Sequence, residues 1–245
     1  MYQYLEEELD QLRTRIIKMG SLVEEQINLS FKSLYEQNLE LAEMVIERDD
    51  KVDKYEIKID KQCQRIFALT QPVAVDLRLI MSAMMINNDL ERMGDIAVNI
   101  AERTKFFMGH QDLLKRIELQ KMTEHVQSIV KGSIDSFVNS DAETAGEIIR
   151  MDPSIDKEYE EIFDKLMDEM SNNKELIKPG SHAITLLRNI ERLADHCTNV
   201  AEDVIFLINA KIIKHRKEIP KDSESENWID KEKDIDNDEE PQRKP

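Results

Sequence analysis

The stretch "DLERMGDIAVNIAER", residues 89 to 103, returns one hundred positions later as "NIERLADHCTNVAED", residues 189 to 203. Laid over each other, the two share Glu91 with Glu191, Arg92 with Arg192, Asp95 with Asp195, Asn99 with Asn199, Ala101 with Ala201 and Glu102 with Glu202. The match extends upstream, where "NLELAEMVIERDD" (38 to 50) lies over "SDAETAGEIIRMD" (140 to 152), pairing Ile46 with Ile148, Arg48 with Arg150 and Asp50 with Asp152. Just after it "VDKYEIKI" lies over "IDKEYEEI", pairing Asp53 with Asp156, Lys54 with Lys157 and Ile59 with Ile162. Nearly constant offsets mean a duplicated unit, so whatever fold one half adopts must be made twice.

That unit is helical. Charged residues make up 35% of the chain and aromatics 5%, with six glycines and six prolines, a composition of long helices with few interruptions. The breaks fall at "FALTQPVAVD", "FFMGHQD", "RMDPSID" and "IKPGSHA". Leu5, Leu9, Leu12, Ile16, Met19, Val23, Ile27 and Phe31 recur at three- and four-residue steps and predict a first helix over roughly 3 to 36 with one buried stripe. Asn38 and Ser140 are expected to cap short helices, and Asp50 and Asp152 to cap the longer helices after them, with Pro153 in a first helical turn. Each half closes with a long helix, roughly 73 to 108 and 181 to 215. The expected fold is all-α: two tandem three-helix bundles over residues 1–109 and 110–216. A tail over 217–245, with eleven acids against six bases and few large apolar residues, is expected to be disordered.

Charge and cysteine usage narrow the function. A net charge of −17 opposes nucleic acid and anionic membranes, both of which are bound by neutralising phosphates with Lys and Arg. Cys63 and Cys197 stand alone, without a CxxC, so neither a disulfide framework nor a thiolate zinc site is indicated. The N-terminus "MYQYLEEELDQL" lacks the pattern of a signal peptide, and the apolar runs are too short to cross a bilayer. A cytoplasmic protein is expected.

On a helix Glu91, Asp95 and Asn99 form one ridge at four-residue steps, and Glu191, Asp195 and Asn199 repeat it. Leu90, Met93, Ala97 and Ile100 lie opposite, which suits a solvated face; yet the ridge also continues the line of Leu77, Met81 and Met84. Carboxylates four apart repel by a few tenths of a kcal/mol, and a bound cation would reverse that sign. Oxygen ligands suit Mg²⁺, Mn²⁺ or iron, and several carboxylates could bridge more than one ion. Arg92 and Arg192 can each pair with the Asp three positions on. His196 points away from Asp195 round the helix and reads as a structural histidine. There is no GxGxxG, GxxxxGK[ST], GxSxG or HExxH, and no Glu-x-x-His pair of the ferritin-like kind.

In "DLERMGDIAVNIAER" and "NIERLADHCTNVAED" the chain resembles the PhoU family, which carries a tandem ExxxD motif, one on the third helix of each of two three-helix bundles; "PVAVDLRLI" is also typical. The resemblance spans about residues 3 to 215. It implies a cytoplasmic regulator, not an enzyme, that restrains the phosphate ABC transporter through its ATPase subunit and keeps a phosphate-sensing histidine kinase inactive when phosphate is plentiful. It implies a homodimer and multinuclear metal clusters of iron or zinc on the ExxxD surface, carried here by Glu91, Asp95, Glu191 and Asp195, with Asn99 and Asn199 beside them. The Asp195-His196 pair also fits the family, whereas Cys197, where Ala is usual, and the acidic tail depart from it. The alternative in another class is a carboxylate-bridged metal-dependent enzyme or metal store.

Overall fold

In a computed structural model, residues 2 to 212 are described, and they form seven α-helices without a strand: α1 Tyr2–Glu36, α2 Leu39–Leu69, α3 Val75–Arg103, α4 Gln111–Arg116, α5 Leu119–Asn139, α6 Ala142–Asn172 and α7 Ile177–Asn209. The tail expected to be disordered, and the 216/217 boundary, lie outside the described residues. Helices α1, α2 and α3 pack into one bundle, and α5, α6 and α7 into a second; α3 lies against α7 and α1 against α5. Between the bundles the chain passes through a 3-10 turn at Thr104–Phe107, then Gly109 at φ 78°, a left-handed position suited to glycine, then the short α4.

The eight apolar residues of the α1 stripe are all buried. Gly20 lets α1 and α5 approach closely, since a Cβ there would sit 3.2 Å from Ile134 Cγ2. The turns that end α1 and α5 are one device used twice. Gln37 and Ser140 both take left-handed φ (52°), and the next residue's N–H donates back to a carbonyl five positions earlier, Asn38 to Ser33 O at 2.9 Å and Asp141 to Ser136 O at 2.8 Å. That same residue then caps the next helix: the Asn38 side chain accepts from Leu41 N, and Asp141 accepts from Glu143 N and Thr144 N.

Four sequence expectations change. The cap of α6 is Asp141 and not Ser140, which the left-handed turn uses instead. Asp50 and Asp152 cap nothing, because α2 and α6 each run unbroken through them, and Pro153 lies inside α6 rather than in a first turn. What carries α2 across is a stripe of buried Val45, Val52, Ile59 and Ile66, matched in α6 by Ile148, Ile155 and Ile162; packing overrides the local preference for a cap. That stripe also resets the alignment. Val45, not the exposed Ile46, corresponds to Ile148, so the offset from α2 to α6 is 103 throughout and Asp49, not Asp50, corresponds to Asp152. Finally α7 begins before "KPG", with Pro179 tolerated in its first turn, and ends at Asn209.

Candidate functional site

The two ExxxD ridges sit where α3 and α7 each face the second helix of their own bundle. Leu90, Met93, Ala97 and Ile100 are buried, which pins α3 in rotation and leaves Glu91 and Asp95 at the edge of the seam between α2 and α3. Leu193, Ala194, Cys197 and Val200 do the same for Glu191 and Asp195 on α7.

Each seam brings further carboxylates up from the opposite helix. Burial raises the Glu91 carboxyl above the usual range, and Asp95 adds to the rise, as do Glu56 and Asp53 across the seam, while Arg92 pulls it back. Burial also raises Asp49, which Asp53, Asp95 and Asp50 push further, and Glu56, pushed by Asp60, Asp53 and Asp95. In the second bundle burial raises Glu191, with Asp195, Asp156 and Asp152 adding to it, and Asp195, with Asp152 and Asp156 adding to it. Burial and Asp156 raise Asp152 as well. The site is thus a pair of four-carboxylate clusters, Asp49, Asp53, Glu91 and Asp95 in one and Asp152, Asp156, Glu191 and Asp195 in the other, with Glu56 an extra member of the first.

Sequence reasoning found the α3 and α7 members and missed Asp49, Asp53, Glu56, Asp152 and Asp156 as partners. The signal was present: Asp53 and Asp156 already matched, and carrying their offset of 103 back four residues pairs Asp49 with Asp152 at i, i+4 spacing on one face. Both inner aspartates are held from a neighbouring helix. Asp49 Oδ1 accepts from Gln26 Nε2 of α1 at 3.0 Å, and Asp152 Oδ1 accepts from the Thr198 hydroxyl of α7 at 3.3 Å. Gly94 keeps the first seam tight, since a Cβ there would lie 3.3 Å from both Asp49 Oδ1 and Val52 Cγ1.

The asparagines are placed differently. Both are exposed, but Asn99 donates to its own helix at Asp95 O, 2.8 Å away. Asn199 donates at 3.2 Å to Oδ1 of Asp89, a buried carboxylate of α3 that also meets His196 Nδ1 at 2.8 Å. His196 is therefore the structural histidine expected, tying the two bundles together, and Asn199 is turned to the same task. Arg92 spans its ridge, 3.4 Å from both Glu91 and Asp95; Arg192 makes no such ion pair among the described residues. Cys63 and Cys197 are buried, which pushes both thiols up to about 12 and leaves them unreactive.

Clustered, self-repelling oxygen donors have the chemistry to hold divalent cations, which would neutralise carboxylates that now raise one another's pKa. In the side-chain arrangement observed, no three His, Cys, Asp or Glu groups among the described residues converge on one ion position, so a bound ion would require these carboxylates to turn toward it.

Comparison with known proteins places this architecture. A family model described as the PhoU domain matches residues 16–104 and again 119–204, once per bundle. The chain is similar to the phosphate-specific transport system accessory protein PhoU of Serratia marcescens, 37% identical over 210 residues covering 85% of this chain and 86% of that protein. Its likeness to the PhoU homolog of Aquifex aeolicus is 40% over 209 residues, 85% of this chain and 95% of that one. Among solved structures, the crystal structure of PhoU from Pseudomonas aeruginosa superposes with a TM-score of 0.81 at 34% identity, covering 84% of this chain and 99% of the other.

Proposed function

The chain belongs to the PhoU family, and from that premise we propose that it is an accessory protein of a phosphate-specific transport system, one that restrains the phosphate ABC transporter and holds a sensor histidine kinase inactive when phosphate is plentiful. On this reading it works by binding, at the cytoplasmic face of the membrane, with its helical faces docking on the transporter ATPase subunit and on the kinase. The names of its relatives, accessory and regulatory proteins, support a binding role over an enzymatic one. No helix among the described residues is long and apolar enough to cross a membrane, which fits attachment through partners.

The observation that carries the reading is the doubled carboxylate cluster, built from matched positions of two repeated seams. The oxygen chemistry of Glu91, Asp95, Asp49 and Asp53, and of Glu191, Asp195, Asp152 and Asp156, suits iron, zinc, manganese or magnesium. A bound cation would supply charge neutralisation and cross-link the two helices of each seam; the chain's own residues supply the carboxylates and fix the helices that carry them.

Deleting the gene should switch on phosphate-starvation genes in phosphate-rich medium, and an unchanged response would remove the regulatory reading. Pull-downs from cells at high and low phosphate should recover the transporter ATPase and the kinase. Metal analysis of purified protein should show a loss of bound metal in the Asp95→Ala, Asp195→Ala double variant, and equal content in both would remove the metal part alone.

A further inference from the structure

The internal repeat supplies its own control for a second feature, a groove of opposite charge. Between α1 and α2 an open groove of about 480 Å³ is lined by Lys18 and Ser21 on one side and by Lys51, Lys54, Tyr55 and Lys58 on the other, with Ile17 and Leu22 as its apolar floor. Four lysines face one carboxylate, Glu25, and Arg48 already holds that carboxylate at 2.7 Å. In a chain of net charge −17 this is a local inversion of sign. Lys18, Lys51 and Lys58 have no ion pair among the described residues, and Lys54 meets Asp50 only at 3.9 Å with both side chains largely in water.

The same place in the second bundle has no lysine excess, with Lys121 and Lys157 set against Glu124, Glu158 and Glu161. At the offset of 103, Lys18 becomes Lys121, Lys51 becomes Ser154, Tyr55 becomes Glu158 and Lys58 becomes Glu161. There Lys121 pairs with Glu158 at 3.8 Å and Lys157 with Glu161 at 3.7 Å. One scaffold thus carries a charge-paired face in one copy and an open groove with an excess of lysine in the other.

We propose that the α1/α2 groove binds a small anion carrying a run of linked phosphates. Lysine presents compact point charges that serve phosphate oxygens from any direction, whereas recognition of a planar carboxylate favours the arginine fork, which this groove does not offer. From Lys51 to Lys58 the cations cover roughly 10 Å along α2, farther than one phosphate reaches, and Lys18 closes on them from α1. The surrounding acidity does not forbid this, because at physiological salt charges beyond about 8 Å are largely screened. The groove's lysines point away from the α2/α3 seam into the space between α1 and α2, so its charge and shape do not depend on whether the carboxylate clusters hold metal.

The test titrates the full chain, in buffer freed of divalent metal, with tripolyphosphate, ATP and orthophosphate by calorimetry. Saturable binding of tripolyphosphate to one site is expected, with orthophosphate weaker by about tenfold or more. The Lys51→Gln, Lys58→Glu double variant, which brings in the second bundle's acid, should lose about tenfold in affinity, while Lys121→Gln should leave it unchanged. Unchanged melting temperatures certify that the surface variants fold. If Tyr55→Ala weakens ATP but not tripolyphosphate, the groove also reads the nucleoside; if it weakens neither, it reads the phosphate chain alone, and both results support the site. No saturable binding, orthophosphate binding as tightly as tripolyphosphate, an equal loss from Lys121→Gln, or binding of an acidic peptide in place of tripolyphosphate would overturn it.

Discussion

The two bundles agree in their carboxylates and differ in what surrounds them. Asp49, Asp53, Glu91 and Asp95 have counterparts in Asp152, Asp156, Glu191 and Asp195, yet Arg92 spans the first ridge while Arg192 leaves the second unclamped. Gln26 holds the first inner aspartate from α1, and Thr198 holds the second from α7. At the interface Asp89 receives His196 and Asn199, whereas its counterpart Asn189 is buried with Nδ2 unpartnered. Four acids recur in the same arrangement in both copies, on helices that share their buried stripes, while the polar groups that hold them differ.

The largest effect should come at the interface, where the copies differ most. Asp89→Ala removes the acceptor of both His196 and Asn199 in a buried setting and should cost about 3 kcal/mol in chemical denaturation. Asn189→Ala removes a side chain whose amide nitrogen has no partner and should cost about 1 kcal/mol or less. Equal losses would show that the interface is symmetric in energy despite its asymmetric bonds.

Next in size, taken one cluster at a time, is the response to cations. At a divalent metal concentration one hundred times its dissociation constant, stability should rise by about 2.7 kcal/mol for each occupied cluster. Melting curves of the wild type, of Glu91→Gln with Asp95→Asn, and of Glu191→Gln with Asp195→Asn should show each double variant losing part of that rise. If one variant abolishes all of it, the clusters are not equivalent and only one binds.

The turns make a smaller and more local comparison. Asn38→Ala removes a single bond to Leu41 N and should cost about 1 kcal/mol. Asp141 accepts from two backbone N–H groups and from the Thr144 hydroxyl, and these bonds hold its carboxyl below the usual range. Its contribution is therefore present above the ordinary carboxylate pKa and fades as pH falls through the lowered one. Melting curves should show Asp141→Ala more damaging than Asn38→Ala near neutrality, with the gap narrowing in acid.

The turns also mark how far the sequence could be read. The α1 stripe, the helix-only fold and the doubled ridge were all visible, because each rests on spacing along one helix. Asp50 and Asp152 misled because an aspartate before a charged run looks like a cap from either side. The buried Val45, Val52, Ile59 and Ile66 that carry α2 past Asp50 were in the sequence too, but their common stripe outweighs a cap only once α1 and α3 are packed against it. The same slip of one residue hid Asp49 behind Asp50, and with it the half of each cluster that lies across the seam. No periodicity could have found the Asp89 contact to His196, since it joins helices over a hundred residues apart.

The smallest effect separates the two ridges most sharply. Burial and the repulsion of Asp152 and Asp156 raise Asp195, and burial and Asp195 raise Glu191, so the folded state disfavours their ionised forms. A folded pKa above the unfolded one means that the native chain binds more protons between the two values; stability therefore falls as pH rises from the ordinary carboxylate range through the raised one, and stays lower above it. Asp195→Asn relieves that repulsion and should stabilise the metal-free protein near neutrality by a few tenths of a kcal/mol, a figure kept small because the group is partly exposed and screened. Asp95→Asn relieves a similar repulsion on Glu91 but also takes a partner from Arg92, so its net effect should be near zero or slightly unfavourable. Melting curves without divalent metal from roughly pH 4 to 8 should flatten in the stretch above the ordinary carboxylate range for Asp195→Asn. If Asp195→Asn instead destabilises as much as Asp95→Asn or more, the second cluster is held by contacts that outweigh its own repulsion, and its readiness to take a cation loses its electrostatic ground.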